Sequence, residues 1–248
     1  MYPRLPVGRM PVHGGVEELG ANAIGIRLHR YALLLALLLL ALIVQAIDVS
    51  SRTSTLLSDV SRTVLSVTVL FVVFERPRER IAMAVVLAIA MAIAWSPHFL
   101  SGNLGRGASL ALHALTALYV WVAALVIVRD LFRHPPTGAE NVLGAICGYL
   151  LAADAWASVN ALAYLLSPAA YGINADVGAL LADWRGRVAL FSYYSYAQML
   201  TIGYPDVTPL RAPATILSVL AALFGVFYTA VVVSQLVALA QLVHRRAK

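Results

Sequence analysis

Seventeen consecutive residues, Tyr31 to Ile47, contain Gln45 as their one strongly polar member. A helix of that composition has no polar stripe to offer water. A soluble bundle, whose surface helices keep one, is therefore the wrong frame for this chain. Comparable runs recur along the sequence, long enough to cross the roughly 30 Å of a bilayer's hydrocarbon core. Composition agrees, with 61% hydrophobic and 12% charged residues, against about 25% charged in an average soluble domain. The expected fold class is an all-α membrane protein.

Six membrane-crossing segments are expected, at about 29–48, 55–74, 81–100, 108–128, 141–166 and 213–242. Asp48 to Thr53 reads as a polar turn, and Glu75-Arg76-Pro77-Arg78-Glu79-Arg80 as a charged loop. Ser101-Gly102-Asn103 with Gly105 and Gly107 reads as another turn. Arg129 to Gly138 carries charge and a Pro-Pro pair that ends the fourth segment. With the N-terminus inside, twelve of the eighteen Lys and Arg residues fall on that side, which predicts both termini in the cytoplasm. The net charge of +6 is thus explained by topology, and nucleic acid is not an expected partner. Met1 to Ile26 mixes Pro, Gly and charge without an apolar core and is not expected to be a cleaved signal peptide. The single cysteine, Cys147, excludes an intramolecular disulfide and a cysteine metal site, and reads as a small core residue.

The stretch between the fifth and sixth spans breaks the pattern. Ser167 to Arg187 is polar, and Val188 to Leu200 is an aromatic-rich segment of thirteen residues, too short to span. A Gly-containing polar segment follows, then a full span. Irregular backbone at membrane depth is tolerated only where protein buries it or where it lines a watery cavity. A half-helix, a loop and a span in that order form a pore-loop signature, with the half-helix re-entrant.

The loop itself, Thr201-Ile202-Gly203-Tyr204-Pro205-Asp206-Val207-Thr208-Pro209, resembles the potassium-channel signature Thr-Val-Gly-Tyr-Gly-Asp followed by a Thr-Pro pair. The resemblance to the two-transmembrane pore-domain superfamily covers roughly 141–242, and residues 139–151 are similar to the outer-helix start of small prokaryotic members. It implies a homotetramer that conducts potassium passively through rings of backbone carbonyls. Thr201 would supply a carbonyl and a hydroxyl at the inner mouth, and Ile202, Gly203 and Tyr204 the next rings. The Tyr204 ring would brace the strand against a cuff of Phe191, Tyr193, Tyr194 and Tyr196. Permeant potassium is the only ion implied, with no cofactor. Membrane lipids and monovalent cations are the remaining partners.

Two departures qualify this reading. Pro205 stands where the family has its second glycine, and proline fixes φ near −65° and donates no hydrogen bond. The outer end of the filter, Pro205-Asp206, must differ, which leaves a weakly selective monovalent cation channel as the alternative. Ala197 stands where a pore-helix acid commonly partners the aspartate at Asp206, so the brace must come from Tyr or Trp donors or from water. Asp176 and Asp183 read as solvated turret acids, with negative potential at an outer mouth as the rival.

Gly225 lies twenty-four residues after Thr201, a spacing that resembles the family's inner-helix hinge. Close packing against a neighbour is the other reading. On helical periodicity Val226, Thr229, Val233 and Val237 are expected to face the cavity. The predicted organisation is a cytoplasmic segment (1–28), a four-helix membrane domain (29–137) and a pore domain (138–248). The fourth span lacks the arginine series of a voltage sensor, its one ionisable residue being His113, which reads as a packing residue. Asp59 and Arg62, three apart, read as an interfacial intrahelical pair. Asp154 reads either as a tuning group or as a partner of Asn160 or of a neighbouring span. The tail from His244 to Lys248 follows the sixth span directly, so no cytoplasmic ligand-binding module is expected. A membrane enzyme or transporter is the remaining alternative, but the six histidines are scattered and no internal repeat is visible.

Overall fold

Apolar runs separated by charge and proline fold as helices, and the breaks between them set the order of elements. The computed structural model describes residues 30–45, 52–99, 104–133, 139–203 and 206–246. The segment 1–28, the turn residues Asp48 and Ser101–Asn103, the Pro135-Pro136 pair, Tyr204, Pro205 and Lys248 lie outside the described residues. Helix α1 is Arg30–Gln45. It is followed by α2 (Arg52–Val73), α3 (Pro77–Phe99), α4 (Arg106–Arg133) and α5 (Ala139–Leu166). A short strand β1 (Tyr171–Ile173), a one-turn helix α6 (Ala175–Gly178), α7 (Trp184–Met199), β2 (Val207–Pro209) and α8 (Ala212–Arg246) complete the chain. Five helices, α2 to α5 and α8, are long and apolar enough to cross a membrane, and α1 is a shorter apolar helix. The chain is a multi-pass helical membrane protein.

Three boundaries differ from the sequence reading. The charged loop at 75–80 shrinks because α3 starts at Pro77, a residue whose fixed φ and missing N–H suit the first helical position. Arg80 then reaches back, its Nε donating to the Phe74 carbonyl at 2.8 Å and satisfying the end of α2. At the far end of the four-helix part, α4 continues through Arg129 to Arg133.

The third difference matters most. Helix α7 starts at Trp184, four residues before the expected Val188. Asp183 is the reason: its carboxylate accepts the Trp184 N–H at 2.8 Å and its carbonyl the Arg187 N–H at 3.0 Å. Asp183 is therefore a helix cap, and its second oxygen faces Arg185 at 3.4 Å. Arg185 and Arg187, expected in a solvated outer segment, lie buried in the first turn of α7.

Helix α5 is the hub, packing against α4, α7 and α8. Its buried face is rich in alanine, including Ala145, Ala152, Ala153, Ala155, Ala157 and Ala161. Small side chains let helix backbones approach closely where lipid removes any hydrophobic drive between them. Leu34 and Leu38 of α1, Val69 of α2, Phe74 just past its end, Tyr119 and Ala123 of α4, and Cys147 and Leu151 of α5 share one core. Cys147 is a buried packing residue, as its setting in an apolar run suggests.

Candidate functional site

The loop after α7 is held by a small clip. Strands β1 and β2 pair antiparallel, with Tyr171 opposite Pro209, Gly172 opposite Thr208 and Ile173 opposite Val207. The Asn174 N–H adds a bond to the Asp206 carbonyl at 2.9 Å. The chain entering α7 and the chain leaving its loop are thereby bound edge to edge.

Behind the clip stands an aromatic cluster. Tyr171 packs edge-on against Phe191 with ring centres 5.3 Å apart, and Tyr164 meets Phe191 at 5.7 Å. Tyr171 donates to Asn160 Oδ1 at 2.9 Å, and Asn160 Nδ2 donates to Ser195 Oγ at 3.3 Å. Burial, and then neighbouring Tyr194, pushes the Tyr171 phenol above its ordinary range, so it remains a donor. Tyr194 and Ser218 share a hydrogen bond of 2.5 Å, tying α7 to α8. Of the expected cuff, Phe191 and Tyr194 are buried here, Tyr196 packs against the main core, and Tyr193 is half exposed. Sequence reasoning missed Tyr164, Tyr171 and Ser218, because three-residue strands leave no alternation to read.

The end of α7 is closed by a Schellman motif. The Ile202 N–H donates to the Ala197 carbonyl at 2.8 Å and the Thr201 N–H to the Gln198 carbonyl at 3.0 Å. Thr201 occupies the left-handed position of that motif, with φ 58°, and Gly203 follows at φ 68°. Glycine takes such values freely, whereas a β-branched residue is strained there. The Gly203 N–H also turns toward Ala197, at 3.4 Å. The backbone donors of 201–203 are therefore spent inward. Among the described residues no backbone N–H is donated to the carbonyls of Thr201, Ile202 or Gly203. All three residues are exposed on the single chain.

Asp206 follows, and its Oδ2 accepts the Tyr193 hydroxyl at 2.9 Å. With Ala197 unable to contribute a carboxyl group, a tyrosine donor takes that place. Gly225 lies where α8 crosses the end of α7, and a β-carbon there would collide with the Met199 carbonyl. The two helices touch backbone to backbone there, as the close-packing reading requires. Val226 is exposed, and the Thr229 hydroxyl donates to the Gly225 carbonyl at 2.8 Å. The side chains of Val233 and Val237 lie outside the described residues.

At its other end α7 is held by the four-helix part. Arg185 donates to Asp59 of α2 through Nε at 2.9 Å and Nη2 at 2.5 Å, and His98 Nε2 lies 2.7 Å from the same carboxylate. Arg187 donates to the Leu181 carbonyl at 2.7 Å and to Ser109 Oγ of α4 at 3.1 Å. The expected Asp59–Arg62 pair is thus replaced by one between Asp59 and Arg185. Asp154 accepts from Ser192 at 3.5 Å and not from Asn160, which serves Tyr171, Ser195 and the Trp156 carbonyl.

A short capped helix, a loop whose backbone donors turn inward and a long helix crossing the helix end make up this part of the chain. Residues 173–241 match the family model described as Ion channel. That match covers part of the chain, from the end of β1 through α7 and its loop into α8. No curated protein and no solved structure matches it.

Proposed function

We propose that this channel is a homotetramer that conducts potassium passively through a filter of backbone carbonyls from Thr201, Ile202, Gly203 and Tyr204. One observation carries the reading: the N–H groups of 201–203 fold back onto α7, and among the described residues no backbone N–H is donated to the carbonyls of 201–203. A dehydrating cation needs rings of such oxygens, and four copies of the loop supply them. Ile216, Val219, Leu220, Leu223, Val226 and Phe227 expose one apolar side of α8, which suits contact with neighbouring copies and a cavity lined by Val226, Thr229, Val233 and Val237.

In this reading α1 and the five longer helices make six spans, and α7 is the re-entrant pore helix. Residues 1–28 form a cytoplasmic segment, 29–137 a four-helix membrane domain without voltage-sensor arginines, and 138–248 the pore domain. Both termini are cytoplasmic in the cell membrane, in line with the twelve-to-six bias of Lys and Arg.

Pro205 supports a second reading in which discrimination among monovalent cations is weak. Both readings are tested by flux from liposomes holding the purified protein under opposed potassium and sodium gradients. Faster potassium flux is expected. Equal rates favour the second reading, and no flux of either ion sinks both. Pro205→Gly is expected to raise the potassium-to-sodium ratio; an unchanged ratio removes the proline as its cause.

A further inference from the structure

Asp59 and Arg62 stand on α2 within one turn of each other yet serve different neighbours. Asp59 holds Arg185. Arg62 instead lines a cavity of about 90 Å³ among α2, α3, α4, α5 and α7, together with His113, Asp154, Trp184 and Ser192. Three of its lining residues each carry a buried nitrogen, Arg62 Nε, His113 Nε2 and Trp184 Nε1, with no hydrogen-bond partner among the described residues. His113 and Trp184 are themselves fully buried, at 1% and 5% exposure. Buried polar groups left bare are costly, and native proteins rarely leave three around one space.

Asp154 supplies the opposite charge on the same wall, and it attracts Arg62. It is tied to α7 by Ser192, whose Oγ donates to it at 3.5 Å. A cavity with donors and a carboxylate needs an occupant that both accepts and donates. Water does so, whereas a halide only accepts and is repelled by Asp154. At about 30 Å³ per molecule, the space holds roughly three waters.

We propose that this cavity is a built hydration site. Ordered water bridges Arg62, His113 and Trp184 to Asp154, and Asp154 thereby acts as a positioning residue for α7. The positioning role rests on the channel reading above; the hydration site does not.

The full-length protein, imaged at a resolution that shows water, is expected to display discrete peaks at hydrogen-bonding distance from Arg62 Nε, His113 Nε2 and Trp184 Nε1. An empty cavity overturns the proposal, as does a single peak that strengthens when chloride is exchanged for iodide. Trp184→Phe keeps the ring and removes one donor, so the peak beside it is expected to vanish; an unaltered cluster overturns the assignment.

Arg62→Gln and Asp154→Asn are each expected to lower the unfolding temperature, and the double variant to recover more than half of the loss. Strictly additive losses overturn the bridge. In liposomes, folded Asp154→Asn is expected to lower the potassium-to-sodium flux ratio about threefold, with Asp154→Glu largely retaining it. An unchanged ratio in Asp154→Asn overturns the positioning role. Absence of any flux from the unaltered protein would overturn the channel reading alone, since density and unfolding do not depend on conduction.

Discussion

Arg185 grips Asp59 from 126 positions away in sequence, with Nε at 2.9 Å and Nη2 at 2.5 Å. The pair joins the first turn of α7 to α2, and both side chains are almost wholly buried. His98 joins from α3, its Nε2 2.7 Å from Asp59. Removing one member of such a pair leaves an uncompensated charge, which costs about 3–5 kcal/mol. Asp59→Ala is therefore expected to lower the unfolding temperature steeply. Asp59→Ala with Arg185→Met, which removes both charges, is expected to be milder than Asp59→Ala alone. Thermal unfolding in detergent checks this, and a double variant worse than the single one counts against the pair.

Tyr193 and Tyr194 are neighbours in sequence and invite opposite outcomes. Tyr193 is half exposed and donates to Asp206 at 2.9 Å. Tyr194 is buried and bonded to Ser218 on α8. Tyr193→Phe is expected to change stability by less than about 1 kcal/mol while lowering the potassium-to-sodium flux ratio, because Asp206 loses its brace. Tyr194→Phe removes the donor to the buried Ser218 hydroxyl, which keeps its own bond to the Ala214 carbonyl at 2.7 Å, and is expected to cost about 1–1.5 kcal/mol. Unfolding and flux measured on the same preparations separate the two. Equal stability losses would show that the exposed bond carries structural weight as well.

Five of the six expected spans were readable because an apolar run has one physical meaning when it is long enough to cross a bilayer, and the first, Arg30–Gln45, is a shorter apolar helix. The half-helix was readable for a related reason, as a run too short to span. Its start was not, because Trp184-Arg185-Gly186-Arg187 looks like a solvated turn until Asp59 and Ser109 arrive from distant helices to bury the arginines. Spacing misled in the same way at Asp59 and Arg62: three residues apart permits a pair, but tertiary partners took Asp59. That Asp206 needs a tyrosine, a tryptophan or water beside it was legible from Ala197, and the Tyr193 hydroxyl donates to it. The clip of β1 and β2 was not, since Tyr171 and Pro209 find each other only through tertiary structure.

Gly225 distinguishes packing from hinging. A β-carbon there would meet the Met199 backbone, and backbone cannot rotate aside as a side chain does. Gly225→Ala is expected to push α8 from α7, with an overpacking cost of about 1–3 kcal/mol and reduced flux. As a hinge alone, the same change would stiffen α8 and gain stability from better helix propensity. The sign of the shift in unfolding temperature decides between them.

Thr201 offers the sharpest test of the loop. It holds the left-handed position at φ 58° that closes α7. A non-glycine residue in that conformation carries about 1–2 kcal/mol of strain, and strain of this kind collects where geometry serves function. Thr201→Gly relieves it, although glycine's greater freedom in the unfolded chain offsets part of the gain, by about 0.4–1 kcal/mol. A small net rise in unfolding temperature is expected, together with loss of potassium-over-sodium discrimination, because the hydroxyl is gone and the loop is no longer held. Thr201→Ala keeps the β-carbon and most of the strain while removing only the hydroxyl, so it is expected to lower discrimination without raising stability. If Thr201→Gly gains stability and keeps full discrimination, the threonine contributes nothing to ion selection, and the filter assignment loses its innermost member.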